Sequence, residues 1–105
     1  MNPYEIPASV QHLPNRALMA AAIANESRWI ILKELAKGEP RMTKDLARLI
    51  GTSPDATAKQ MIMLRRAGLV EQLYGKLYTL PKKYLPQPGQ PFVDFGHCLL
   101  RLDAA

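Results

Sequence analysis

Apolar residues recur at helical spacing through the first two thirds of this chain, and the pattern then shortens to strand-like runs. The Ala-rich stretch 15–24, NRALMAAAIA, favours a first helix. Asn25 suits the cap of a second helix starting at Glu26, because its side-chain oxygen can accept a first-turn N–H. Trp29, Leu32, Leu35 and Ala36 give that helix an apolar face, and Ile30 and Ile31 widen the stripe enough to predict burial on two sides. Gly38 and Pro40 end it. Thr43 is expected to cap a short third helix, TKDLARLI, with Leu46, Ala47 and Ile50 inward and Gly51 as its stop. Ser53-Pro54 opens a fourth helix with a capping hydroxyl and a proline whose missing N–H does no harm at the first position. It runs to about Ala67 with Ala58, Met61 and Leu64 inward, Thr57 suits either core or surface, and Gly68 closes it.

Beyond Gly68 the period changes. Leu69–Leu73 and Lys76–Leu80 are β-prone runs around Tyr74-Gly75, which predicts a tight hairpin. Residues 81–91 hold Pro81, Pro86, Pro88, Gly89 and Pro91 and read as a stiff linker. The stretch 92–102 predicts one further strand, with Cys98, Leu100 and Leu102 on one side and Phe95, His97, Leu99 and Arg101 on the other. Apolar groups on both sides imply a cover, from its own domain or from a second copy. Residues 1–14, with Pro3, Pro7 and Pro14 and no periodicity, read as an extended arm. The expected organisation is thus an arm (1–14), a helical and hairpin domain (15–80), a linker (81–91) and a C-terminal strand segment (92–105) that can serve dimerisation.

Charge sharpens this picture. The 105 residues carry a net +5, yet residues 1–40 are balanced, and residues 41–83 hold nine basic against three acidic side chains. A basic stretch confined to one part of the chain fits a polyanionic partner. The length fits one small domain that a partner subunit would help stabilise. No apolar run is long enough to span a bilayer, Met1–Pro14 lacks the apolar core of a signal peptide, and the single cysteine, Cys98, cannot close an intrachain disulfide. A cytoplasmic, nucleoid-associated location is therefore expected.

The middle of the chain reads helix, tight turn, helix, hairpin. Gly51-Thr52-Ser53 has the length of the turn in helix-turn-helix units, where one helix braces a second that protrudes into a major groove about 12 Å wide. The hairpin takes the place of a wing. The stretch IANESRWIILKELAKG followed by MTKDLARLIGTSPDATAKQMIMLRRAGLVEQ resembles the ArsR-type winged helix family of bacterial and archaeal repressors. The resemblance rests on Asn25, Ser27-Arg28, Trp29, Ile31, Leu32, Leu35, Thr43, Asp45-Leu46-Ala47, Ser53, and above all Leu64-Arg65-Arg66-Ala67-Gly68-Leu69-Val70, and spans about residues 17–80. It implies a mainly α fold with a small β-hairpin wing, here with an extra C-terminal β-strand. It also implies a homodimer that binds a pseudo-palindromic operator in double-stranded DNA and represses transcription. Two recognition helices would lie in successive major grooves about 34 Å apart.

On that reading Asp55, Ala56, Lys59 and Gln60 face base edges from the first turns of the fourth helix. Gln60 suits adenine, Lys59 guanine or phosphate, Ala56 a thymine methyl, and Asp55 the helix N-terminus or a cytosine amino group. Thr43, Lys44, Thr52 and Ser53 stand at helix starts, where hydroxyls and N–H groups hold phosphate, and Lys76 and Tyr78 belong to the wing. Arg65 and Arg66 suit the helix C-terminus or distal phosphates, and Ile62 stands where relatives place a polar residue and can pack on the wing. Metal-sensing relatives carry Cys or His ligands that residues 43–50 lack. His97 and Cys98 point to opposite sides of the expected strand and His12 lies in the arm, so no metal or other cofactor is expected and Cys98 reads as a packing residue. The methionines Met19, Met42, Met61 and Met63 read as core fillers. With no Ser/His/Asp spacing, phosphate-binding Gly loop or carboxylate pair, the chain is not expected to be an enzyme. The alternative reading is a winged helix that binds a protein partner, which Ile62 and the apolar C-terminal strand favour.

Overall fold

A computed structural model describes residues 16–102. The expected arm, with His12, therefore lies outside the described residues, as do positions 103–105. Four helices appear where the periodicity places them: α1 (Arg16–Ile23), α2 (Glu26–Leu35), α3 (Thr43–Ile50) and α4 (Pro54–Arg66). Asn25 caps α2 by accepting from the Arg28 N–H at 3.1 Å. Ser53 caps α4 by accepting from the Ala56 N–H at 3.1 Å. The cap of α3 differs from expectation. Met42 occupies the cap position without a side-chain bond, and Thr43 is the first helical residue.

The reason lies in a strand too short to read locally. β1 (Arg41–Met42) pairs antiparallel with β3 (Leu77–Thr79), which also pairs with β2 (Glu71–Tyr74), giving the sheet order β1-β3-β2. The ladder continues one residue past β1: the Thr43 N–H donates to the Lys76 carbonyl at 2.9 Å and the Thr43 hydroxyl donates to the same oxygen at 3.1 Å. Thr43 is thus committed to the wing and is 2% exposed. The hairpin turn sits one residue later than predicted. Tyr74 pairs with Leu77, so the loop is Gly75-Lys76, and Gly75 supplies the positive φ (53°) that so tight a turn needs. A register shift between Gln72 and Tyr74 marks a bulge at Leu73.

The C-terminal segment forms, but as two strands rather than one. β4 (Phe92–Asp94) pairs with β5 (Leu99–Arg101), Phe92 opposite Arg101 and Asp94 opposite Leu99. The chain reverses because Asp94 Oδ1 accepts from the Gly96 N–H at 2.8 Å and Gly96 takes a φ of 92°. His97 and Cys98 accordingly sit in the turn and not on opposite faces of a strand. The preceding Pro-rich stretch is more than a spacer. It holds a 3-10 turn (Lys82–Tyr84) and buries Pro81 and Tyr84.

One core joins all these parts. Met19 and Ala22 of α1, Ile31, Leu32 and Leu35 of α2, Leu46 of α3, and Met61 and Leu64 of α4 meet Leu69, Tyr78 and Leu80 beside the sheet, then Tyr84, Val93, Phe95 and Leu100. Tyr84 and Phe95 meet edge to face, centroids 5.0 Å apart. Cys98 packs at the rim of the core, its sulfur 3.3 Å from that of Met19, and burial pushes its thiol pKa up, with Asp94 adding to the shift. Met61 and Met19 fill core positions as expected, whereas Met63 is 43% exposed.

Candidate nucleic-acid interface

The recognition element is built from α3, the turn through Thr52, and α4. Leu46, Ala47, Thr57, Met61 and Leu64 are buried between and beneath the two helices, which leaves the opposite side of α4 toward solvent. Thr57 is fully buried, and its hydroxyl donates back to the Ser53 carbonyl at 2.9 Å, so it belongs to the core. The inner stripe of α4 is then Thr57, Met61 and Leu64, and Ala58 is only half-buried.

Two side-chain braces hold α4 at its flanks. On one flank Arg28 donates through Nη1 to Gln60 Oε1 at 2.5 Å, through Nη2 to the Ala21 carbonyl at 3.1 Å, and through Nε to the Ala22 carbonyl. A single guanidinium thereby joins the C-terminal end of α1, α2 and the recognition helix. Its charge also suits the negative end of α1. On the other flank Arg65 donates to Gln72 Oε1 at 2.7 Å, and Gln72 Nε2 donates to the Gly75 carbonyl. That chain links the end of α4 to the turn of the wing.

Besides Pro54 and the bracing Arg65, the exposed side chains of α4 are Asp55, Lys59, Ile62, Met63 and Arg66. This face corrects the base-reading set. Lys59 and Asp55 stand on it as expected. Ala56 is half-buried at its edge. Gln60 is half-buried with its carbonyl oxygen taken by Arg28, so it faces α1 and α2 and is removed from the candidate readers. Ile62, at 48% exposure, does not pack away on the wing.

The phosphate set divides in the same way. Lys44, Thr52, Ser53 and Lys76 are exposed. The ladder bonds from Thr43 to Lys76 set Lys44 and the wing tip side by side. Ser53 uses its oxygen as the cap of α4 and keeps its hydroxyl proton for another acceptor. Thr43 and Tyr78 drop out. Thr43 is buried against the wing, and Tyr78 is 7% exposed in the core beside β2. Arg66 is exposed in line with Lys59, whereas Arg65 serves the wing brace.

Elsewhere the surface charges pair locally. Glu34 accepts from Lys37 at 2.8 Å and from Arg41 at 3.2 Å, and these bonds, Lys37 first, hold its carboxyl below the ordinary carboxylate range. Asp45 and Arg48 lie 3.8 Å apart on α3. Among the described residues no group of three or more His, Cys, Asp or Glu is placed to hold a metal ion, and no helix is long and apolar enough to cross a membrane.

Arg28 and Gln72 were not visible as braces in the sequence. Arg28 stands 32 residues from Gln60, a separation that no local pattern reports. The exposed Ile62 could have been found from its distance to the inner stripe, since it lies between the buried Met61 and Leu64 but on the far side of the helix.

No protein-family model matches the sequence, and no match was found among curated proteins. Among solved structures the chain is similar to HlyU from Vibrio cholerae N16961, at 28% sequence identity and a TM-score of 0.56, over 66% of this chain and 77% of that one. What the two share is the winged helix fold; in this chain α3 and α4 occupy the place of the helix-turn-helix and β2–β3 that of the wing.

Proposed function

We propose that this protein is a transcriptional regulator of the ArsR-like kind, a repressor that binds double-stranded DNA as a homodimer and is not an enzyme. The observation that carries the reading is the outward face of α4, held clear of the core by the Arg28–Gln60 and Arg65–Gln72 braces and flanked by the exposed Lys44, Lys59 and Lys76. HlyU, a winged-helix transcriptional regulator, supports it. Asp55, Lys59 and Arg66 are the polar groups positioned to meet base edges or nearby phosphates. Lys44, Thr52, Ser53 and Lys76 anchor the backbone. Leu18 on α1, 50% exposed, and Leu99 on β5, 61% exposed, are the proposed contacts between subunits. The proposed location is the cytoplasm, on the nucleoid.

A second reading has its own observation. Ile62, Met63, Leu73 and Tyr74 are between 43% and 73% exposed, more apolar surface than phosphate binding requires, and would suit a protein partner of the wing and α4. Duplex binding by the purified protein at two salt concentrations, alongside its solution mass, separates the two. Salt-sensitive binding by a dimer supports the regulator. Absence of duplex binding even at low salt favours the interaction module.

A further inference from the structure

The exposed face of α4 combines cationic ends with an apolar centre. Lys59 and Arg66 are exposed two turns apart, and Ile62, 48% exposed, lies between them on the same side of the helix. Burial accounts for none of this. Met61, one residue before Ile62, and Leu64, two after it, are fully buried, while Met63 is exposed beside it, so the core is complete without Ile62. Gln60, the one neutral amide near this face, is engaged by Arg28 and turned toward α1 and α2. The centre of the face therefore offers methyl groups and no hydrogen-bonding group.

Resting on the DNA-binding reading above, we propose that Ile62 is a specificity-determining residue that recognises the C5-methyl group of a thymine in each half-site. An aliphatic side chain neither donates nor accepts a hydrogen bond, so it cannot use the donor and acceptor pattern by which the other base edges differ. The thymine methyl is the one apolar feature the four bases present in the major groove. Lys59 and Arg66 hold phosphate or guanine on either side and set the depth at which Ile62 meets the base. Bidentate adenine readout through Gln60 has no place in this arrangement, because the amide oxygen that would accept from the base is already bonded to Arg28.

The experiment is a cycle of two changes. The preferred duplex is selected from random sequence with the wild-type protein. Affinities are then measured for that duplex and for copies with single thymines replaced by uracil, which differs only in lacking the methyl. The same set is measured with Ile62→Ala, a substitution at a half-exposed position that leaves the core intact. Wild type is expected to lose about fourfold at one thymine in each half-site, the value of one buried methyl-sized group. Ile62→Ala should bind the thymine and uracil duplexes alike at that position, with the slope of affinity against salt unchanged. Ile62→Ala retaining the full wild-type preference for thymine, or a wild-type site with no methyl-sensitive thymine, overturns the proposal while leaving the DNA-binding reading in place. A wild-type protein that binds no duplex overturns both.

Discussion

Among the described residues are two β-hairpins of similar size with opposite duties. In the wing, every residue of β2 is exposed, and the turn carries Lys76. In the C-terminal hairpin, Val93, Phe95 and Leu100 are buried to within 1% of complete, and they close the core beside Tyr84. The outer strand and turn of the wing are held by hydrogen bonds, Thr43 to Lys76 and Arg65 through Gln72 to Gly75, while β3 ties the wing to the core through Tyr78. The C-terminal hairpin is attached by packing. Secondary structure alone therefore does not separate an element that presents side chains from one that stabilises the domain, whereas the mode of attachment does. A presenting element needs position, which directed bonds supply, and a closing element needs buried area.

If that contrast holds, substitutions in the two hairpins should separate stability from binding. The largest effect is expected from Phe95→Ala, which empties a fully buried ring and should destabilise the fold by about 3–5 kcal/mol in denaturant unfolding. Next is Tyr84. Its hydroxyl is buried without a hydrogen-bond partner, so Tyr84→Phe should be neutral or stabilising by up to about 1 kcal/mol.

Burial also raises the Tyr84 pKa, with Cys98 adding to the shift. The folded state keeps the phenolic proton at a pH where the unfolded chain has begun to release it. The associated stability is complete below the unfolded value of about 10 and declines as pH rises through the folded one. A pH series of unfolding midpoints should show that alkaline decline in the wild type and less of it in Tyr84→Phe.

On the wing side, Thr43→Val removes one of two bonds to the Lys76 carbonyl and should cost about 1 kcal/mol. Its particular mark would be faster hydrogen exchange at the amides flanking the turn. Smallest in stability is Lys76→Gln, expected to stay within about 0.5 kcal/mol of wild type because the side chain is exposed at the turn. Its effect should appear only in DNA affinity and salt dependence. A Lys76→Gln protein that unfolds easily, or a Phe95→Ala protein of normal stability, would break the comparison.

Much of the helical layer was legible because its punctuation is local. Asn25, Ser53-Pro54 and Gly51 mark helix ends by chemistry that acts within four residues, and the structure uses each of them. The misreadings of Thr43 and Gln60 concern partners distant in sequence. β1 is two residues long and exists only because β3 lies beside it, so Thr43 looked like a cap when it was a ladder residue. The same distance hid the withdrawal of Gln60 by Arg28. The split of the C-terminal strand is different, because Asp94 and Gly96 carry a local turn signal that alternating hydrophobicity masked. The candidate DNA face was legible as a helix and a wing, but its membership was not. Which of Asp55, Lys59, Gln60 and Ile62 faces outward depends on what flanks α4 in space.

The most direct test of the account is the slope of log affinity against log salt for duplex DNA, measured on the wild type and on a variant with Lys44, Lys59 and Lys76 all changed to Gln. The account predicts measurable wild-type binding that weakens steeply with salt. The slope should be shallower in the variant by roughly 0.9 for each lysine that had neutralised a phosphate. Equal slopes, or no wild-type duplex binding at the lowest salt, would contradict it.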